Sequence, residues 1–308
     1  MILGLDTSCY TTSAALYDGR LMSEKRRQLR VPEGKRGLRQ SDALFQHILE
    51  LPKVLDDIWL PGALSAVCVS SRPRAVYGSY MPCFLAGLQI GKAMARAAGV
   101  PLFQVSHQQN HLAAAVLSSG RHELCKEPFY AWHISGGTTE LLFVKPSFRA
   151  ERIGGTTDIS AGQIIDRVGM KMGLEFPCGP GLERLALQKS GNLKGHITVR
   201  EREFSLSGLE NRAESYLRDG ERPEDVAYYV LRSIAGALQV AGASARGEYP
   251  ALPLVCCGGV AANSIVREVM SGAVFAGREA SADNAAGCAY LGYLLMSKIG
   301  KESAAWTL

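Results

Sequence analysis

Apolar residues along the chain fall into short continuous runs that end in small polar turns, with segments of helical periodicity between them. "ILGLD" runs into "TSCYTTS", and "AALYDGRL" follows with an Asp-Gly turn signal. About 130 positions later "FYAWHI" leads into "SGGTT" and then "ELLFVKP". A third run, "LPLVCC", opens through "GGVAANSIVREVM" as a glycine turn entering a helix. The segments "YMPCFLAGLQIGKAMARAA", "SAGQIIDRVGMKMGL", "GPGLERLALQKSG" and "PEDVAYYVLRSIAGALQVAGASA" carry apolar residues at helical spacing. Strands that alternate with helices predict an α/β protein. Two copies of a hairpin-led unit predict a duplicated domain with a cleft between its halves. "SSGRHELCKEP" (118–128) is the expected crossing between them.

Composition narrows this picture. At 308 residues the chain suits two domains of ordinary size. Charges or glycines interrupt every apolar run before it reaches membrane-spanning length, so no membrane contact is expected. The opening "MILGLDTSCY" lacks the features of a signal peptide, and the eight cysteines include no CxxC pair. Reduced, mostly buried thiols in a cytoplasmic protein are the expectation. Net charge is only +5, yet "EKRRQLRVPEGKRGLRQ" (24–40) holds seven Lys or Arg against two Glu. On charge alone this is a solvated loop, and it permits an RNA partner without requiring one.

The segment "VSHQQNHLAAAV" (105–116) sets His107 and His111 four positions apart, one above the other on a helix face. That spacing can aim two nitrogens at one cation. Spacing alone favours a polar helix start followed by a buried run, because two ligands do not complete a metal site. No Ser-His-Asp or Cys-His constellation is evident. Gln108 stands where an HExxH peptidase needs its glutamate.

Three polar turns in the order Asp6-Thr7-Ser8, Ser135-Gly136-Gly137 and Gly258-Gly259 resemble the actin-like ATPase (ASKHA) superfamily. That likeness implies two duplicated RNase H-like halves with a nucleotide cleft between them. "LGLDTSC", "SHQQNH", "HISGGTTEL", "SAGQIIDRVGMKMGLEFPCGPGLERLA", "FSLSGLE", "CCGGVAANSIVRE" and "ADNAAGCAYLG" together resemble the tRNA threonylcarbamoyladenosine transferases, once called O-sialoglycoprotein endopeptidases. The resemblance runs nearly end to end. It implies a first half over 1–125, joined by a returning C-terminal helix (283–308). It implies a second half over 126–282 with a helical insertion at 155–250.

The resemblance also implies a site. His107, His111 and Asp283 would bind one divalent metal, iron or zinc; taken alone, Asp283 also reads as a helix N-cap. Backbone around His133, Ile134, Ser135, Gly136 and Gly137 would hold phosphate and acyl atoms of the substrate. Asp166 and Glu183 would accept from ribose hydroxyls, and Gly179 would lie close to the sugar. Gly258, Gly259 and Asn263 would lie beside the nucleotide. Each also has an ordinary reading, as solvated acid, loop glycine or cap.

The implied reaction moves a threonylcarbamoyl group from threonylcarbamoyl-AMP to the exocyclic amine of the adenosine beside the anticodon, releasing AMP. It requires no protein nucleophile. Implied partners are tRNA, a smaller paralogous subunit and an ATPase subunit, in a homo- or heterodimeric arrangement; ATP is an alternative ligand. Two other readings remain open: a non-catalytic or altered-specificity partner subunit, and a small-molecule kinase or ATPase suggested by fold alone. Departures from the family pattern are Tyr10 and Thr11 in place of acids, Thr138 in place of histidine, Arg72 and Arg74 in place of loop glycines, Gln109 in place of an acid, and Glu210 in place of lysine.

Overall fold

A computed structural model describes residues 1–32, 37–58, 62–195 and 197–305, with side chains described to residue 298. The chain divides into two compact units, Met1–His122 joined by the C-terminal segment from Ala282, and Glu123–Ser281. In chain order the first unit contains β1 (Ile2–Asp6), β2 (Thr11–Tyr17), β3 (Leu21–Gln28), α1 (Gln40–Asp56), β4 (Ala66–Arg72), α2 (Phe84–Ala98), β5 (Leu102–Ser106) and α3 (His107–Ser119). The second contains β6 (Phe129–Ile134), β7 (Thr139–Lys145), β8 (Arg149–Thr156), α4 (Ala161–Lys171), α5 (Gly179–Ala186), β9 (Glu203–Phe204), α6 (Ser207–Arg218), α7 (Pro223–Arg246), β10 (Leu254–Cys257), α8 (Ser264–Val269), β11 (Val274–Phe275) and α9 (Arg278–Ser281). Helix α10 (Ala286–Ala305) belongs to the first unit.

The first sheet has the order β3-β2-β1-β4-β5, antiparallel among β1–β3 and parallel from β1 to β5. Strand β1 is buried throughout, which explains its unbroken apolar run. Side chains alternate across the sheet. Leu3 and Leu5 join Val67, Val69, Leu51 and Val54 in one core on the face covered by α1 and α2. Each such leucine contributes about 2 kcal/mol by leaving water. On the other face, a Cβ at Gly4 would lie 2.5 Å from Ala285 O and from Ala289 N, so α10 rests directly on β1. The basic stretch is not a loop throughout, because residues 24–28 complete the edge strand β3, whose charges suit a sheet edge. Residues 33–36 of that stretch lie outside the described residues.

The second sheet has the order β11-β10-β6-β7-β8-β9. Its core gathers Trp132, Ile134 and Leu141 with Ile164 and Val168 of α4, Leu182 of α5, and Val230 and Ile234 of α7. Strands β6 and β10 run parallel, so their carboxyl ends open on the same edge of this sheet. Helices α1 and α6 are absent from the pattern read along the sequence. Among the described residues no helix is long and apolar enough to cross a membrane.

Candidate functional site

In the first unit, Ser106 caps α3. Its hydroxyl accepts from Gln109 N at 3.2 Å, and Gln109 Oε1 accepts from Ser106 N at 3.0 Å. This box explains Gln109, whose amide serves the helix start. It also fixes where α3 begins, and so aims His107 and His111 along one face. His111 Nε2 lies 3.1 Å from His107 Nε2 and 3.2 Å from Asp283 Oδ1, and His107 Nε2 lies 3.6 Å from the same oxygen. Bonds of about 2.1 Å to one ion place neighbouring donors about 3.0 Å apart in octahedral geometry and about 3.4 Å apart in tetrahedral geometry. The three edges fit a cation. The cluster opens on its Asp283 side, whose side chain is 21% exposed against 1% for His111.

Asp6 lies fully buried at the end of β1. Its Oδ2 accepts from His107 Nδ1 at 3.0 Å and from Asn110 Nδ2 at 2.7 Å, while Oδ1 accepts from Ser8 N at 2.9 Å. With Nδ1–H given to a carboxylate, a neutral His107 presents its Nε2 lone pair to the cluster, the arrangement that supports metal-bound imidazoles. Burial alone would lower the His107 pKa, but the charge and hydrogen bond of Asp6 raise it. Asp283 shows the opposite balance: burial favours its neutral form, yet the His111 hydrogen bond and the imidazole charges hold its pKa below the ordinary carboxylate value.

Asn110 spans the pieces. Its Nδ2 also donates to Asn284 O at 2.5 Å, beside Asp283. A Cβ at Gly287 would lie 2.5 Å from Asn110 Oδ1, so only glycine lets α10 come this near to α3. Asp6 and Asn110 were not among the site residues expected from sequence. The signal existed for Asn110, which stands at i+3 from His107 on the same face. Behind the first turn, His47 Nδ1 sits 2.8 Å from Thr12 Oγ1, and burial pushes its pKa down to about 4.

In the second unit the β6–β7 turn closes through Ser135 N donating to Thr138 O at 2.8 Å, which is where Thr138 serves. His133 and Ile134 lie inside β6, flanked by β7 and β10, so the exposed part of this motif is Gly136 and Gly137. Nothing lies within 4 Å of a Cβ placed on either glycine. The turn rests on the start of α4: Ser160 Oγ donates to Gly136 O at 2.7 Å, and Ala161 N donates to Thr139 Oγ1 at 2.8 Å. Bare backbone beside a helix N-terminus suits an anion.

The neighbouring β10 turn is built differently. Gly258 has φ +93°, and a Cβ there would collide with Ile134 O, whereas Gly259 meets open space. Asn263 is the N-cap of α8, its Oδ1 accepting from Ile265 N at 3.0 Å and Val266 N at 3.2 Å. Glu183 of α5 accepts from Ser264 N at 2.8 Å, and Asp166 of α4 accepts from Cys178 N at 2.8 Å just before Gly179. Burial raises the Asp166 pKa. These residues therefore cluster through α4, α5 and α8 of one unit. Glu210 is bound by Arg167 at 3.1 Å and Lys171 at 2.9 Å, so its acid has cationic partners on α4.

A family model described as tRNA N6-adenosine threonylcarbamoyltransferase (TsaD) matches residues 53–286. The chain belongs to the tRNA N6-adenosine threonylcarbamoyltransferase family. A relative of that name from Granulibacter bethesdensis is 31% identical over 305 residues, covering 88% of this chain and 79% of its own. The family consists of transferases that act on tRNA. Solved structures show the fold: HypF of T. kodakarensis superposes with a TM-score of 0.64 at 14% identity, over 96% of this chain. The chain spans about half of HypF, 48% of its length. The activator of 2-hydroxyisocaproyl-CoA dehydratase from Clostridium difficile, solved with bound ADPNP, gives 0.58 at 13% identity over 98% of this chain and 97% of its own. A ROK family glucokinase from Streptomyces griseus, solved with glucose and AMPPNP, gives 0.53 at 10% identity over 95% and 98%. These neighbours belong to the actin-like ATPase superfamily, and the chain shares its α/β fold.

Proposed function

We propose that the chain transfers a threonylcarbamoyl group from threonylcarbamoyl-AMP to the exocyclic amine of the adenosine beside the anticodon of tRNA, releasing AMP. The observation that carries this reading is the donor triangle of His107, His111 and Asp283, in a member of a family that acts on tRNA. In this step the amine nitrogen bonds to the carbamoyl carbon, the carbon–oxygen bond to phosphate breaks, and the amine proton leaves to solvent. The donor is already activated, so the protein's tasks are positioning and charge stabilisation. A bound divalent ion, iron or zinc, would supply Lewis acidity to an oxygen of the substrate.

Among the chain's own groups, the Gly136–Gly137 backbone and the α4 start would receive phosphate. Asp166 and Glu183 would accept ribose hydroxyls, with Gly179, Gly258, Gly259 and Asn263 around the nucleoside. Both units would act as the halves of one duplicated domain, with 155–250 as the helical insertion of the second. A smaller paralogous subunit and an ATPase would complete a cytoplasmic assembly. Arg26 and Arg27 would add phosphate contacts from β3, although Arg27 is already tied to Asp57 at 2.8 Å.

The test is reconstitution. Purified chain, its partner subunits, threonylcarbamoyl-AMP and unmodified tRNA should yield the modified nucleoside by mass analysis. Absence of product under conditions where the Granulibacter relative succeeds would refute the assignment.

A further inference from the structure

We propose that the loop between β4 and α2, residues 73–83, is a stacking platform for single-stranded RNA, with Tyr77 and Tyr80 holding bases and Arg72 and Arg74 flanking them. The inference rests on the family's action on tRNA and names the surface that receives the unpaired nucleotides.

Tyr77 is 106% exposed and Tyr80 is 65% exposed, so both rings are presented to solvent rather than used for packing. The stretch 70–83 contains two arginines and no acid. Exposed aromatic faces beside guanidinium groups fit bases splayed from a loop, which stack without demanding a sequence.

The loop is also held in place. Arg74 N donates to Ser79 Oγ at 2.9 Å, and Ser79 N donates to Val76 O at 3.3 Å. At one end Gln108 N donates to Pro73 O at 3.1 Å, next to His107. At the other end Thr7 Oγ1 donates to Cys83 O at 3.0 Å, next to Asp6. Gln108 adjoins His107 of the cluster, and Thr7 adjoins Asp6, whose carboxylate accepts from His107. The two ends of the loop are therefore fixed beside residues that neighbour the cluster, within the first unit. A protein partner would call for a broader apolar surface, and the loop adds only Val76 to its two rings.

The experiment measures binding of the full-length chain to a labelled anticodon stem–loop RNA with adenosine after the anticodon, and to duplex RNA of equal length. The wild type should prefer the stem–loop. Tyr77→Ala and Tyr80→Ala should each weaken it at least about fivefold, and together about thirtyfold. Tyr77→Phe should stay within twofold, because stacking needs the ring and not the hydroxyl. Arg74→Gln should reduce the salt slope by about one. Thermal unfolding of each variant should match the wild type, since exposed rings contribute little to folding.

Stem–loop affinity within twofold for the double variant would overturn the proposal. So would a changed oligomeric state with unchanged RNA affinity, which would mark the loop as a protein interface. A wild type that binds neither RNA would overturn the tRNA reading together with this one.

Discussion

The two units repeat one topology and put opposite chemistry at the corresponding turn. Strands β3-β2-β1-β4-β5 of the first correspond to β8-β7-β6-β10-β11 of the second, which adds β9 at its edge. The turn after β1 is packed at its start, where Asp6, Thr7 and Ser8 are fully buried and Thr7 Oγ1 accepts from Gly87 N of α2 at 3.1 Å; Cys9 beyond them is exposed. The turn after β6 is supported from below by α4 and bare above, with Gly136 and Gly137 exposed. Topology therefore sets where a turn lies, and the residues at the turn decide its use. A buried carboxylate orders imidazoles behind it, whereas open glycines offer N–H groups to an anion.

The largest effect should come from breaking the first side of this contrast. His111→Ala removes a donor shared by two edges of the triangle, so metal content measured by plasma mass spectrometry should fall from one equivalent to near zero. Occupancy equal to the wild type would place the cation elsewhere.

Next is acid sensitivity in the same unit. His47 holds its neutral form when folded, with a pKa of about 4, while the unfolded chain protonates near the ordinary histidine value. Stability should therefore drop as pH falls from about 6.5 to about 4, by about 3 kcal/mol from this group, and level off below. Urea titrations of wild type and His47→Gln across that window should differ in slope, the variant being flatter.

The second unit is probed at its β10 turn, beside the end of β6, by Gly258→Ala, which forces a side chain onto a left-handed backbone against Ile134 O. It should destabilise by roughly 2 kcal/mol in chemical denaturation, with the metal content of the first unit unchanged. Smallest is Asn110→Leu, which removes both donors that join Asp6 to the Asn284 backbone. Cobalt titration should show roughly tenfold weaker binding and a shifted visible band. An identical spectrum would reduce Asn110 to a packing residue.

Legibility followed local patterning. Strands β1, β6 and β10 are buried runs bounded by turns, and α4 shows itself by its apolar period; the Ser160–Gln163 capping box that starts it came to light in the structure. Helix α1 was hidden because its outer face carries Phe45, Ile48 and Leu49, so apolar residues surround it, and Pro52 interrupts the pattern. Asn263 exemplifies the limit of reading a motif: its oxygen caps α8, a contact indistinguishable in sequence from one awaiting a nucleotide.

The sequence alone determined the periods and the glycine turns, since each depends on residues within a few positions of one another, and the order of motifs that resembles a transferase family, since order along a chain needs no folding. Tertiary structure alone decided that Asp283 meets His111 across 172 positions and that Asp6 stands behind His107 across 101. Those contacts exist because α10 settles on β1 and α3 through glycines at positions 4 and 287, where close approach replaces any local signal.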